Sequence, residues 1–98
     1  MKIRFNNWLC DIIIGAYGNG RKAIQLFDSE THEPIATATV NVSTHEWPFQ
    51  ANEVIIKNYS ENEGIYECLR DAGVISTTYA HVPLGFTSGL ACELLIEE

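Results

Sequence analysis

The sequence predicts an α+β domain, a twisted antiparallel sheet of about six strands with one amphipathic helix, in the order β-β-β-β-α-β-β. Three observations carry this reading. Two apolar, β-rich runs flank the turn Gly18-Asn19-Gly20, a nine-residue stretch alternates between apolar and polar residues, and one segment alone has helical periodicity with its own start and stop signals. At 98 residues the chain suffices for one core, so residues 1–98 are taken as a single domain.

Trp8 to Tyr17 and Lys22 to Asp28 form the first hairpin signal. Asn and Gly tolerate the positive φ of a tight hairpin turn. After a polar connection, Ser29 to Glu33, the stretch Pro34 to Val42 sets Ala36, Ala38, Val40 and Val42 against Thr37, Thr39 and Asn41. A period of two with one wet face belongs to an antiparallel sheet rather than to a parallel sheet covered on both sides. Ser43 to Asn52 reads as a loop carrying His45, Trp47, Pro48 and Phe49, and Glu53 to Lys57 as a short apolar strand.

Ser60-Glu61-Asn62-Glu63 matches a capping box, which predicts a helix starting at Ser60, with Gly73 as its terminator. Ile65, Cys68, Leu69 and Ala72 fall on one face of that helix, with Glu63, Glu67 and Asp71 on the other. Gly64 inside it is expected to allow a close approach by a neighbour. Val74 to Leu84 and Phe86 to Ile96 complete the strands around Pro83 and Gly85, with Phe86, Leu90, Cys92, Leu94 and Ile96 sharing a face. One short helix does not cover a broad sheet, so loops or a second copy of the chain, a homodimer, are expected to close the rest.

Thirteen acids against six bases give a net charge of -7. This opposes unaided binding to nucleic acid or anionic membranes and favours a basic protein partner. Neither an export signal nor a membrane-length apolar run is visible, which points to a cytoplasmic protein. Cys10, Cys68 and Cys92 match neither a disulfide framework nor a zinc site, and read as structural free thiols.

No chemistry-bearing constellation emerges. His32, His45 and His81 stand apart without ligand spacing, and the glycines at 15, 18 and 20 lack the helix that a phosphate loop requires. No metal, cofactor or catalytic residue is therefore expected. The binding candidates are the acidic row Glu63, Glu67 and Asp71, suited to Lys or Arg on a partner, and the loop aromatics Trp47 and Phe49. The bland alternatives are a solvated helix face and a loop folded back over the core. Lys2, Arg4, Arg21, Lys22, Lys57 and Arg70 are the whole cation supply for an anion pocket.

The segment Lys57-Asn58-Tyr59-Ser60-Glu61-Asn62-Glu63-Gly64-Ile65, with Leu69 and the exit Ala72-Gly73-Val74, resembles an uncharacterised family of small proteins encoded by phages, plasmids and other bacterial mobile elements. Tyr17-Gly18-Asn19-Gly20, Ala23-Ile24-Gln25-Leu26 and Thr39-Val40-Asn41-Val42 are similar to the same family. The resemblance covers most of the chain and nominates no catalytic residue. It implies a bacterial host cell and an accessory role. Joined to the acidic charge, that role is expected to be stoichiometric inhibition of a host defence protein such as a CRISPR nuclease, in the manner of an anti-CRISPR. The alternative is a small-ligand or nucleotide-signal sequestering protein, and an enzyme is the reading with least support.

Overall fold

A computed structural model describes residues 1–97. Two antiparallel sheets and one short helix enclose the core, which confirms the α+β class but changes its layout. The first sheet holds β1 (Lys2–Phe5), β2 (Trp8–Ala16), β3 (Lys22–Asp28) and β4 (Pro34–Thr37) in sequential order. The second holds β5 (Glu53–Ile56), β6 (Ala80–Pro83) and β7 (Ser88–Glu93), with β7 in the centre. Among the described residues there are thus seven strands in two sheets where about six in one were expected.

The strand missed from the sequence is β1. Ile3 and Phe5 point inward and Lys2 and Arg4 outward, a two-residue period too short to stand out. Asn6, at φ 55°, supplies the left-handed turn into β2. The second hairpin is as expected. Its register runs from Cys10↔Asp28 to Ala16↔Lys22, closed by Gly20 at φ 91°.

Beyond Thr37 the chain leaves the first ladder and crosses to the second. Ala38 N–H donates to Ile24 O (2.8 Å), Lys57 N–H to Ala38 O (2.8 Å), and Thr39 bridges Ile56. Thr39, expected on the wet face, is buried at this crossing. Its hydroxyl accepts from Ile24 N–H (3.2 Å) and bonds Tyr17 Oη (2.9 Å), so burial leaves no polar atom unmatched.

The helix is shorter than expected and begins differently. Ser60–Asn62 form a single 3-10 turn, and α1 (Ile65–Asp71) follows only after Gly64, whose φ of 94° reverses the chain. The capping box is not made. Ser60 lies at φ 56°, a conformation in which it does not cap α1. The cap comes instead from Asn58, whose Oδ1 accepts from the amides of Gly64 (3.1 Å) and Tyr66 (2.9 Å). No atom would lie within 4 Å of a side chain at Gly64, so its role is the turn and not a close approach.

Ile65 and Leu69 are buried as expected, with Cys68 and Ala72 packed half-buried beside them. Tyr66 joins that face, and its hydroxyl accepts from Thr78 N–H (3.0 Å). The helix, the inner face of the first sheet, and Val54, Ile56, Cys92 and Leu94 form the main core. Val42, Ile55, Val82 and Ala91 form a smaller core on the opposite face of the second sheet, covered by Val40, Trp47 and Leu84.

The predicted strands after the helix are trimmed. Of Val74 to Leu84, β6 forms a strand and Ile75 bridges Leu94, with single backbone bonds from Ser76 and Tyr79 to the β7 segment, and β7 occupies the middle of Phe86 to Ile96. Leu90, Cys92 and Leu94 share the main core, whereas Phe86 sits exposed in the turn between β6 and β7. At Gly89 a Cβ would fall 2.5 Å from the Ile55 methyl, so only glycine lets β7 lie under that side chain.

The cap assignment is testable. Asn58→Ala should destabilise the protein by about 1 kcal/mol, while Ser60→Ala should change stability by less than about 0.5 kcal/mol; urea unfolding of both variants checks this.

Candidate interaction surface

The strongest polar arrangement lies inside, where the two sheets meet. Arg21 follows Gly20 in the β2–β3 turn, and Glu53 begins β5; both side chains are almost wholly buried. The Arg21 guanidinium donates from Nε to Val42 O (2.7 Å), from Nη1 to Glu53 Oε1 (3.5 Å) and from Nη2 to Trp47 O. Glu53 Oε1 also accepts from the Trp47 indole N–H (3.0 Å), and Oε2 accepts from the Tyr79 hydroxyl. Asn19 closes the cluster, donating to Val42 O (3.1 Å).

A buried ion pair is tolerable only when hydrogen bonds replace the lost hydration. Here they do, and among the described residues no buried side-chain nitrogen or oxygen lacks a partner. Burial and the bond to the Glu53 carboxylate both push the Tyr79 phenol above its ordinary range. Arg21, a sequence candidate for an anion pocket, is therefore committed to holding the fold together.

The same cluster settles the place of the loop aromatics. Trp47 is half-buried, its indole tied to Glu53 and its ring over the smaller core, so it faces inward. Phe49 is about half exposed and rests against Gly20. The loop folds back over the core and leaves Phe49 as its outward aromatic.

The three predicted acids are all exposed, but they do not form one helical row. Glu67 and Asp71 lie one turn apart on α1, whereas Glu63 precedes Gly64 on extended backbone. Asp71 is paired with Arg70 at 3.2 Å. Glu63 and Glu67 carry no ion pair among the described residues.

Three more cations are similarly engaged. Lys2 binds Asp11 at 2.6 Å and Lys57 binds Glu61 at 2.7 Å, while Arg21 is buried on Glu53. The Lys2 ammonium holds the Asp11 carboxyl below its usual range, and the Lys57 ammonium does the same for Glu61. Arg4 and Lys22 are the cations outside these pairs. Arg4 registers with Leu9 and Lys22 with Ala16, seven positions apart along β2, about 23 Å at the strand rise. They cannot converge on one small anion.

A recess of about 710 Å3 opens between the end of the β2–β3 hairpin and the segment after β7. Its wall is mainly Ile14, Ala16, Leu94, Leu95 and Ile96, with Lys22 as its cation and Glu97 opposing it. A phosphate would meet one ammonium there against a carboxylate.

The thiols are free. Burial raises all three; Cys92 is pushed up to about 11, and Asp71 adds to the effect at Cys68. Cys68 also donates to Arg4 O (2.8 Å), which pins α1 to the outer edge of β1. Among the described residues no group of three His, Cys, Asp or Glu side chains could hold a metal ion. No described helix is long and apolar enough to cross a membrane.

Comparison with protein-family models, with curated proteins and with solved structures returned no match. The surface is therefore read from its own chemistry.

Two predictions follow from the buried groups. Arg21→Met should cost about 3–5 kcal/mol in urea unfolding because it strands a buried carboxylate, whereas Lys22→Met beside it should stay within about 0.5 kcal/mol. Alkali should also weaken the fold. The Cys92 thiol keeps its proton in the folded state up to about 11 but ionises in the unfolded chain near its ordinary 9.0. Its contribution is thus complete below pH 9 and lost as pH rises towards 11. Urea titrations across that range should show falling stability, with a shallower fall in Cys92→Ala.

Proposed function

We propose that this protein acts by stoichiometric binding to a basic protein partner, as a small inhibitor of a host defence protein such as a CRISPR nuclease. One observation carries the reading. Four of the six cations are spent in ion pairs within the chain, so among the described residues most surface carboxylates carry no ion pair, Glu63 and Glu67 among them. Such a surface attracts a basic protein and repels nucleic acid.

The resemblance to mobile-element proteins supplies the setting, since accessory proteins of that kind meet host defences. A nuclease groove built for phosphates is also a basic surface on which carboxylates can sit. Sequestration of a nucleotide signal has less support, because Arg4 and Lys22 lie too far apart to grip one phosphate group together. Binding rather than turnover is favoured by the ionisable groups themselves: the buried pair is tied into the fold, and burial keeps the thiols protonated.

The test is affinity capture from a bacterial host, followed by kinetics on the purified partner. A protein of net positive charge should be retained and should dissociate as salt is raised. Replacing Glu63, Glu67 and Asp71 together by Lys should slow association by about tenfold at low salt while dissociation changes little. A captured nucleotide, or kinetics indifferent to both the substitutions and salt, would overturn the proposal.

A further inference from the structure

The turn between β6 and β7 presents a feature that the fold does not use. Phe86 stands at its tip with a relative exposure of 111%, touching nothing that shields it. The turn beneath is ordered: Leu84 N–H donates to Thr87 O (2.9 Å), Gly85 takes φ 85°, and Pro83↔Ser88 is the last rung of the ladder. A large apolar side chain held in water on a fixed turn carries little ordering cost when it is buried by a partner.

Beside this tip lies a groove of about 370 Å3, walled by Val40, Val42, Tyr59, Pro83 and Leu84 together with the polar Asn41 and Ser43, with Gly85 at its rim. Glu46 also lines it, exposed and without an ion pair among the described residues. Tyr59 starts the 3-10 turn, in which Asn62 N–H bonds Tyr59 O and Glu63 N–H bonds Ser60 O. Glu63 is therefore one turn from the groove wall. Lys57 faces the Tyr59 ring but is neutralised by Glu61. The groove thus sets apolar side chains in a partly polar wall, with Glu46 in its lining, Glu63 one turn beyond Tyr59, neither in an ion pair among the described residues, and a projecting aromatic alongside.

Resting on the binding reading above, we infer that this groove and Phe86 form the docking surface for an extended cationic segment of the partner. Its apolar side chains enter the groove, its Lys or Arg side chains meet Glu46 and Glu63, and Phe86 inserts into the partner. Charge complementarity selects this occupant over a second copy of the chain. A second copy would bring its own Glu46 against this one, on molecules each of net charge -7.

The probe is a synthetic heptapeptide alternating lysine and leucine, titrated into the isotopically labelled full chain and followed by amide NMR shifts. Lysine–serine and glutamate–leucine heptapeptides serve as controls. The expected result is saturable shifts at Val42, Glu46, Tyr59 and Leu84–Thr87 with the lysine–leucine peptide alone, weakened about tenfold in Phe86→Ala and in Glu46→Lys. Both positions are exposed, and unchanged shifts elsewhere would show that each variant is folded.

Shifts confined to Glu67 and Asp71, or equal shifts with lysine–serine, would overturn the groove while leaving a basic partner standing. Shifts with glutamate–leucine alone would overturn both. Concentration-dependent shifts of the groove amides without any peptide would assign the surface to self-association and overturn the docking of a cationic segment.

Discussion

The constraint on which the rest of the structure depends is the burial of Arg21 against Glu53. Beside the apolar core they share, the two sheets are joined along their seam by the Thr39↔Ile56 bridge and a few backbone bonds. The guanidinium reaches across that seam to the carbonyls of Val42 and Trp47, so the chain from residue 42 to 53 is wrapped around one charge. Removing either charged partner leaves the other uncompensated in a poorly hydrated place. The cluster also holds Trp47 half-buried against the smaller core.

A second consequence concerns β5. All four of its residues are buried, because the main core lies on one face and the loop-covered smaller core on the other. Gly89 makes this possible by letting β7 lie close beneath Ile55. The interior is thus organised around β5, a strand with no solvent face, and polar chemistry is pushed to the outer sheet faces, the helix and the turns. The acidic surface is what remains after the cations have been drawn into pairs.

Much of this architecture was legible in the sequence. The Gly18-Asn19-Gly20 hairpin, the Ile65 and Leu69 face of the helix, and the inward face of Leu90, Cys92 and Leu94 followed from periodicity and turn chemistry, which are local properties. The cap was misread for an equally physical reason. Ser60 and Glu63 have the right spacing, but α1 starts only after Gly64, and at that later start Asn58 takes the amides of Gly64 and Tyr66 from farther back. The Arg21–Glu53 pair was missed because charges at strand ends usually face water. Its one available signal was that Glu53 shares a face with Ile55 in a strand apolar throughout its remaining length. Phe86 was assigned to a strand face by alternation, although the Pro83 to Gly85 turn places it beyond the ladder.

The separation of the strand pairings in sequence has a bearing on how the chain finds its fold. In the first sheet β1 to β4 pair consecutively through short connections, and β6 and β7 form another hairpin. Each closes a small loop at small entropic cost. By contrast, β5 must meet β7 across the whole helix, with Glu53 aligned to Glu93 forty positions later, and the Arg21–Glu53 contact spans 32 residues. Loop-closure entropy therefore makes the hairpins the early events and the seam the late one. Until the seam closes, β5 is an unpaired apolar strand, and the interval before closure is when this chain is most exposed to aggregation.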